Sequence, residues 1–161
     1  MAKDIKEFVI EVPLRELAST EALGAQIAAG IGTGDTVALW GDLGAGKTTL
    51  ARAILRALGV RESVPSPTFT LVQSYESGRI AVSHYDLYRI EAPEELDELG
   101  LDEALANGAA LIEWPEHAGN RLPDDALHVH LEMDGRSGRH AKLTGPARWN
   151  SIFSETQIHA R

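Results

Sequence analysis

An apolar tetrad, Val37-Ala38-Leu39-Trp40, runs directly into Gly41-Asp42-Leu43-Gly44-Ala45-Gly46-Lys47-Thr48. The octet fits the phosphate-loop pattern G-x-x-x-x-G-K-[ST]. The segment from Lys47 to Leu58 is amphipathic at helical spacing: Leu50, Ile54 and Leu58 fall on one face, and Arg52 and Arg56 fall on another. Gly59 is placed to stop that helix. Buried strand, glycine loop, helix is the context in which such a loop works. Glycines let the backbone curl so that several N–H groups and the helix N-terminus converge on an anion. The pattern predicts α- and β-phosphates over Asp42, Leu43, Gly44, Ala45, Gly46, Lys47, Thr48 and Thr49. Lys47 would reach the β/γ-phosphates as a point charge. The Thr48 hydroxyl would ligate the Mg²⁺ that bridges them.

The rest of the chain reads as a sheet with helices on its faces. Its 161 residues suffice for one domain spanning 1–161 with a core of its own. Phe8 to Val12 reads as a strand closed by Pro13, and Ser19-Thr20-Glu21 as a helix start, with Gly30-Ile31-Gly32 ending that helix. Phe69–Ser74 and Ile80–Tyr85 read as strands joined at Glu76-Ser77-Gly78. Pro93-Glu94-Glu95 opens an acidic helical stretch. Ala109–Ile112 is a second buried strand. Ala126–Glu132 and His140–Leu143 form a late hairpin around Gly135-Arg136-Ser137-Gly138, and residues 148–153 a terminal helix. The predicted class is α/β, a P-loop-type mixed sheet with helices on both faces.

A phosphate loop needs an acid near its metal, commonly at the carboxyl end of a neighbouring strand. Two residues qualify. Glu113 ends Ala109–Ile112 and is assigned to the metal; Asp86 ends Ile80–Tyr85 and is assigned to hold or orient water. Their order cannot be read from spacing. As a plain alternative, Glu113 is a strand-end surface acid and Asp86 a turn residue. His84 shares a face with Asp86, and reads either as a core histidine or as support for the site. Trp114 either stacks on a base, seals the site or joins the core. Ser66-Pro67-Thr68-Phe69-Thr70 is either a stiff loop or a segment that senses the γ-phosphate.

Composition narrows the chemistry. There is no Cys, hence no thiolate nucleophile and no disulfide, which fits a cytoplasmic location. No apolar run is long enough for a membrane span, and Met1–Lys6 has no apolar segment behind it to serve as a secretory leader. Net charge is −9. Residues 84–116 hold ten carboxylates, namely Asp86, Glu91, Glu94, Glu95, Asp97, Glu98, Asp102, Glu103, Glu113 and Glu116, against Arg89 alone; the remainder is balanced. Broad grip on a nucleic-acid backbone is excluded by that balance. The acidic run is either a solvated helix face or a docking surface. No Asn-Lys-x-Asp sequence is present to select guanine, which favours ATP. Between residues 62 and 120 only Arg79 and Arg89 are basic, so a kinase-type arginine lid is not expected. The expectation is slow hydrolysis alone, with a cation donated by a partner. A small-molecule kinase and a binding module without turnover are the competing readings.

Four blocks, Gly41–Thr49, Ser66–Val72, His84-Tyr85-Asp86-Leu87-Tyr88-Arg89 and Glu113-Trp114-Pro115-Glu116, together resemble the TsaE (YjeE-type) ATPases of bacterial tRNA threonylcarbamoyladenosine synthesis. Pro93-Glu94-Glu95-Leu96 and Leu99-Gly100 fit as well, and the likeness runs from about residue 8 to 145. The resemblance implies an ATP- and Mg²⁺-dependent subunit that supports turnover of a threonylcarbamoyl transferase built from two partners, TsaD-like and TsaB-like. It implies indirect contact with tRNA and no small-molecule acceptor. Lys47, Thr48, Asp86, Glu113 and Trp114 fall on positions that the family uses for nucleotide, metal and hydrolysis. Thr20 aligns with a segment that the family places against the nucleotide. Pro65 departs from the basic or amide residue of many relatives, so no phosphate contact is carried over there.

Overall fold

A computed structural model describes residues 8–133, 135 and 138–153. Met1–Lys6, considered as a leader, and Arg136-Ser137 of the expected hairpin tip lie outside the described residues. Seven strands form one sheet: β1 (Phe8–Leu14), β2 (Thr36–Trp40), β3 (Val72–Glu76), β4 (Ala81–Asp86), β5 (Gly108–Glu113), β6 (Leu127–Met133) and β7 (Arg139–Gly145). Their order is β1-β7-β6-β2-β5-β4-β3. β6, β2, β5 and β4 run parallel; β1, β7 and β3 pair antiparallel at the margins. This is the mixed α/β sheet expected from the sequence.

β2 and β5 are apolar along their length because they are the covered centre of the sheet. On one face α1 (Leu17–Gly30) and α2 (Lys47–Leu58) bury Leu23, Ile27, Leu50 and Ile54 against Leu39, Leu111 and Val129. On the other, the short helices α3 (Glu95–Glu98) and α4 (Leu101–Asn107) seat Leu96 and Leu101 against Ala110 and Ile112. Glu98, Asp102 and Glu103 stay exposed above an apolar underside, as both the solvated-face and the docking reading of the acidic stretch require. Gly100, at φ 74°, breaks it into two helices.

Several boundaries differ from expectation. β1 runs through Pro13 to Leu14. As an edge strand paired only with β7 it can spare one amide donor. α1 starts at Leu17 rather than Ser19, because extended Glu16 offers its carbonyl to the amides of Ser19 and Thr20. The strand expected from Phe69 begins at Val72. The Leu71 amide bonds the Pro67 carbonyl at 2.8 Å and closes a turn, which leaves Phe69 83 % exposed. After β7 the chain turns through a 3₁₀ segment (Ala147–Trp149) into one helical turn over 150–153, where the expected terminal helix over 148–153 lay. The phosphate-loop helix has the predicted ends: Gly46, at φ 108°, precedes it, and the Gly59 amide closes it onto Arg56 and Leu55.

Candidate functional site

β2, β5 and β4 lie side by side and parallel, so their carboxyl ends open at one edge of the sheet. β2 delivers Gly41 and the loop. The register pairs Asp86 with Glu113, and Glu113 with Leu39, which places both acids beside the loop. Gly46 takes a left-handed conformation that a side chain would strain, and this lets the chain reverse into α2. The first amides of α2 have no intrahelical acceptor, and the helix presents its positive end here.

A cleft of about 430 Å³ lies over this edge. Leu43, Gly44, Gly46, Lys47, Thr48 and Thr49 line it from the loop; Glu113 and Trp114 line it from β5, and Asp86 and Tyr88 from β4. Ser66 and Thr68 close one side. Asp42 and Ala45 belong to the loop but face a neighbouring groove with Trp40 and His130. Thr20 is buried in α1 and is not among the cleft-lining residues.

The polar groups converge. Thr48 Oγ1 lies 3.0 and 2.9 Å from the two Glu113 carboxylate oxygens. His84, fully buried, places Nε2 2.7 Å from Glu113 Oε2. Asp86 accepts hydrogen bonds from Ser66 Oγ (3.0 Å) and Thr68 Oγ1 (3.3 Å), and from the Tyr88 amide (2.9 Å). Both carboxylates are almost wholly buried, and these donors compensate their desolvation. The Lys47 ammonium donates to the Gly41 and Asp42 carbonyls at 2.6 and 3.0 Å and sits 4.1 Å from the centre of the Trp114 ring. Burial pushes this ammonium below the ordinary lysine value, and Glu113, Glu116, Asp86 and Asp42 pull it back. Trp114 holds φ at 57°, which turns its ring over the cleft. There it meets Tyr88 at 4.8 Å rather than joining the core outright.

Two features go beyond what the sequence conveys. Arg139, from β7, lines the cleft against Gly46 and donates to the Gly44 carbonyl at 3.4 Å. Nothing local to Arg139 signals this, since only the sheet order brings β7 near the loop. The contact of His84 with Glu113 is the second, since the strand pattern alone left that residue between core and site. The donor set suits a magnesium nucleotide: a hydroxyl and a carboxylate are hard oxygen ligands, and Mg²⁺ usually takes one or two carboxylates together with phosphates. Among the described residues no cluster of three or more His, Cys, Asp or Glu forms a metal cage. Arg139 Nε is buried without a partner, which fits an anion in the cleft. No described helix is long and apolar enough to cross a membrane.

Comparison with known proteins agrees with this architecture. A Rickettsia conorii protein named tRNA threonylcarbamoyladenosine biosynthesis protein TsaE is 43 % identical over 114 residues, 70 % of this chain and 65 % of that one. The chain thus spans about two-thirds of that relative's length. The Bacillus subtilis protein of the same name is 35 % identical over 142 residues, 87 % of this chain and 89 % of its own. The crystal structure of Bacillus subtilis YdiB superposes with a TM-score of 0.79 at 27 % identity, covering 99 % of this chain and all of that one. The family profile described as threonylcarbamoyl adenosine biosynthesis protein TsaE matches residues 14–141. The profile over residues 14–141, the identity shared with the Bacillus subtilis protein and the superposition together show that this chain belongs to the TsaE family.

Proposed function

We propose that this chain is the ATP-binding and ATP-hydrolysing subunit of the tRNA threonylcarbamoyladenosine machinery. In this role it supports turnover by a TsaD-like and a TsaB-like partner rather than transferring the group itself. The observation that carries the reading is the Thr48 hydroxyl held 2.9–3.0 Å from both oxygens of buried Glu113, at the head of a phosphate loop. Lys47 holds the β/γ-phosphates, while Thr48 and Glu113 hold Mg²⁺. Bound there, Mg²⁺ would supply positive charge against the phosphate oxygens. Asp86, kept in place by Ser66, Thr68 and the Tyr88 amide, orients the attacking water. Ser66 and Thr68 link that water-positioning acid to the loop that senses the γ-phosphate. Trp114 covers the cleft and limits water entry.

Lys47 and Arg139 are the cationic side chains lining the cleft. Hydrolysis by the chain alone is therefore slow, and a cation donated by a partner would raise it by about 10³–10⁵. tRNA reaches the assembly through the partners, in keeping with the acidic surface, and the work takes place in the cytoplasm.

Phosphate release from ATP, with and without the two partners and tRNA, tests this. Asp86→Ala should lose about 10²-fold or more of the stimulated rate. Lys47→Ala should lose nucleotide binding or turnover, and Glu113→Ala should bind nucleotide without hydrolysing it. Undiminished release by Asp86→Ala would sink the water-positioning role. Stimulation by a small hydroxyl compound instead of the partners would make the protein a kinase.

A further inference from the structure

We infer that His84 is a positioning residue that holds the Glu113 carboxylate in the orientation needed to take the metal. The inference rests on the reading of Thr48 and Glu113 as the Mg²⁺-holding pair. His84 lies on β4 between Val82 and Asp86, and its ring is fully buried. Its Nε2 is 2.7 Å from Glu113 Oε2, and its Nδ1 is buried with no partner. A carboxylate oxygen accepts, so Nε2 is the donor in this contact.

A histidine present only to fill the core would be expected to pair both nitrogens or to give way to an apolar side chain. This one incurs the burial of an unpaired nitrogen, and its ring engages Glu113 through Nε2. Oε2 thereby receives a fixed donor from the β4 side, while the Thr48 hydroxyl reaches both oxygens from the α2 side. The carboxylate is clamped between two elements and cannot rotate away from the loop. Outer partners of metal-holding side chains of this kind commonly control metal affinity.

The test is Mg²⁺ titration of fluorescent N-methylanthraniloyl-ATP binding, for wild type, His84→Leu, His84→Gln and His84→Asn, beside phosphate release and a thermal melt. In His84→Leu the Mg²⁺ concentration at half-saturation should rise about tenfold or more, while affinity for the metal-free nucleotide stays within about twofold. His84→Gln, whose amide N–H reaches the Nε2 position, should recover most of the loss. His84→Asn, one bond too short, should not. Where the Leu variant does not fold, the Gln and Asn pair decides the matter alone. A folded Leu variant with wild-type Mg²⁺ dependence, or Gln no better than Asn, overturns the role of His84 and leaves the Thr48–Glu113 reading intact. A wild-type protein that binds the nucleotide without any Mg²⁺ dependence overturns both.

Discussion

Tyr85 shows how one side chain on β4 serves the fold while its neighbours serve the site. Asp86 and His84 flank it and face the cleft side, whereas its ring enters the apolar cluster under α3 and α4. Its hydroxyl donates to the Leu99 carbonyl at 3.0 Å, and burial pushes its pKa up to about 12. The folded value lies above the unfolded one, so the fold favours the neutral phenol. The stabilisation is complete below about pH 10 and is lost as pH rises toward 12. Tyr85→Phe should cost about 1 kcal/mol at pH 7, the worth of the hydrogen bond. Because Phe does not titrate, the gap between the two proteins should narrow above about pH 10. Urea unfolding of both at pH 7 and near pH 11 measures it; a constant gap would mean that the phenol ionises as freely inside as outside.

Among the elements, the α1–α2 contact sets where the phosphate loop ends. A side chain added at Gly24 of α1 would stand 2.6 Å from Ala53 Cβ of α2, so the helices meet backbone to backbone at that point. Arg79, from the turn between β3 and β4, caps the other end of α1 by donating to the Ala28 and Ile31 carbonyls at 2.5 and 3.3 Å. Arg52 and Arg56 on α2 hold the Val64, Val60 and Glu62 carbonyls of the segment leading to Ser66. α2 thus positions Thr48 at its start and, through its outer face, the hydroxyl segment that meets Asp86. Gly24→Ala gains up to about 1 kcal/mol of helix propensity, but overpacking costs about 1–3 kcal/mol. The net effect should be destabilising. Adding Ala53→Gly should restore little of the loss, because the new carbon also stands 2.9 and 3.0 Å from the Ala53 carbonyl carbon and the Ile54 nitrogen and glycine inside a helix costs about 1 kcal/mol; chemical denaturation of the single and double variants reads this. An unchanged midpoint in Gly24→Ala would mean that the helices part without cost.

At the scale of the whole molecule, one sheet separates two apolar clusters, and the described chain ends meet on the larger. Phe8 at the start of β1 stacks on Phe153 at 6.0 Å, and Phe153 stacks on Trp149. Trp149 is fully buried against the end of α1 at Gly30. Trp149→Ala should lose about 3–5 kcal/mol and lower the melting temperature by about 10 °C, without altering cleft residues directly. A small shift in a thermal melt would show that this turn only decorates the core. The parts legible in the sequence were local ones. The loop from Gly41 to Thr48, the limits of α2 and the apolar centre of β2 and β5 follow from residue type and spacing over a dozen positions, because glycine freedom, helical periodicity and strand burial act at that range. The four blocks also carried the family. Spacing could not assign a partner to each acid, reveal that His84 clamps Glu113, or bring Arg139 from β7 to Gly46. Those depend on strand order and register, in which residues 27 to 95 positions apart meet only once the sheet has formed.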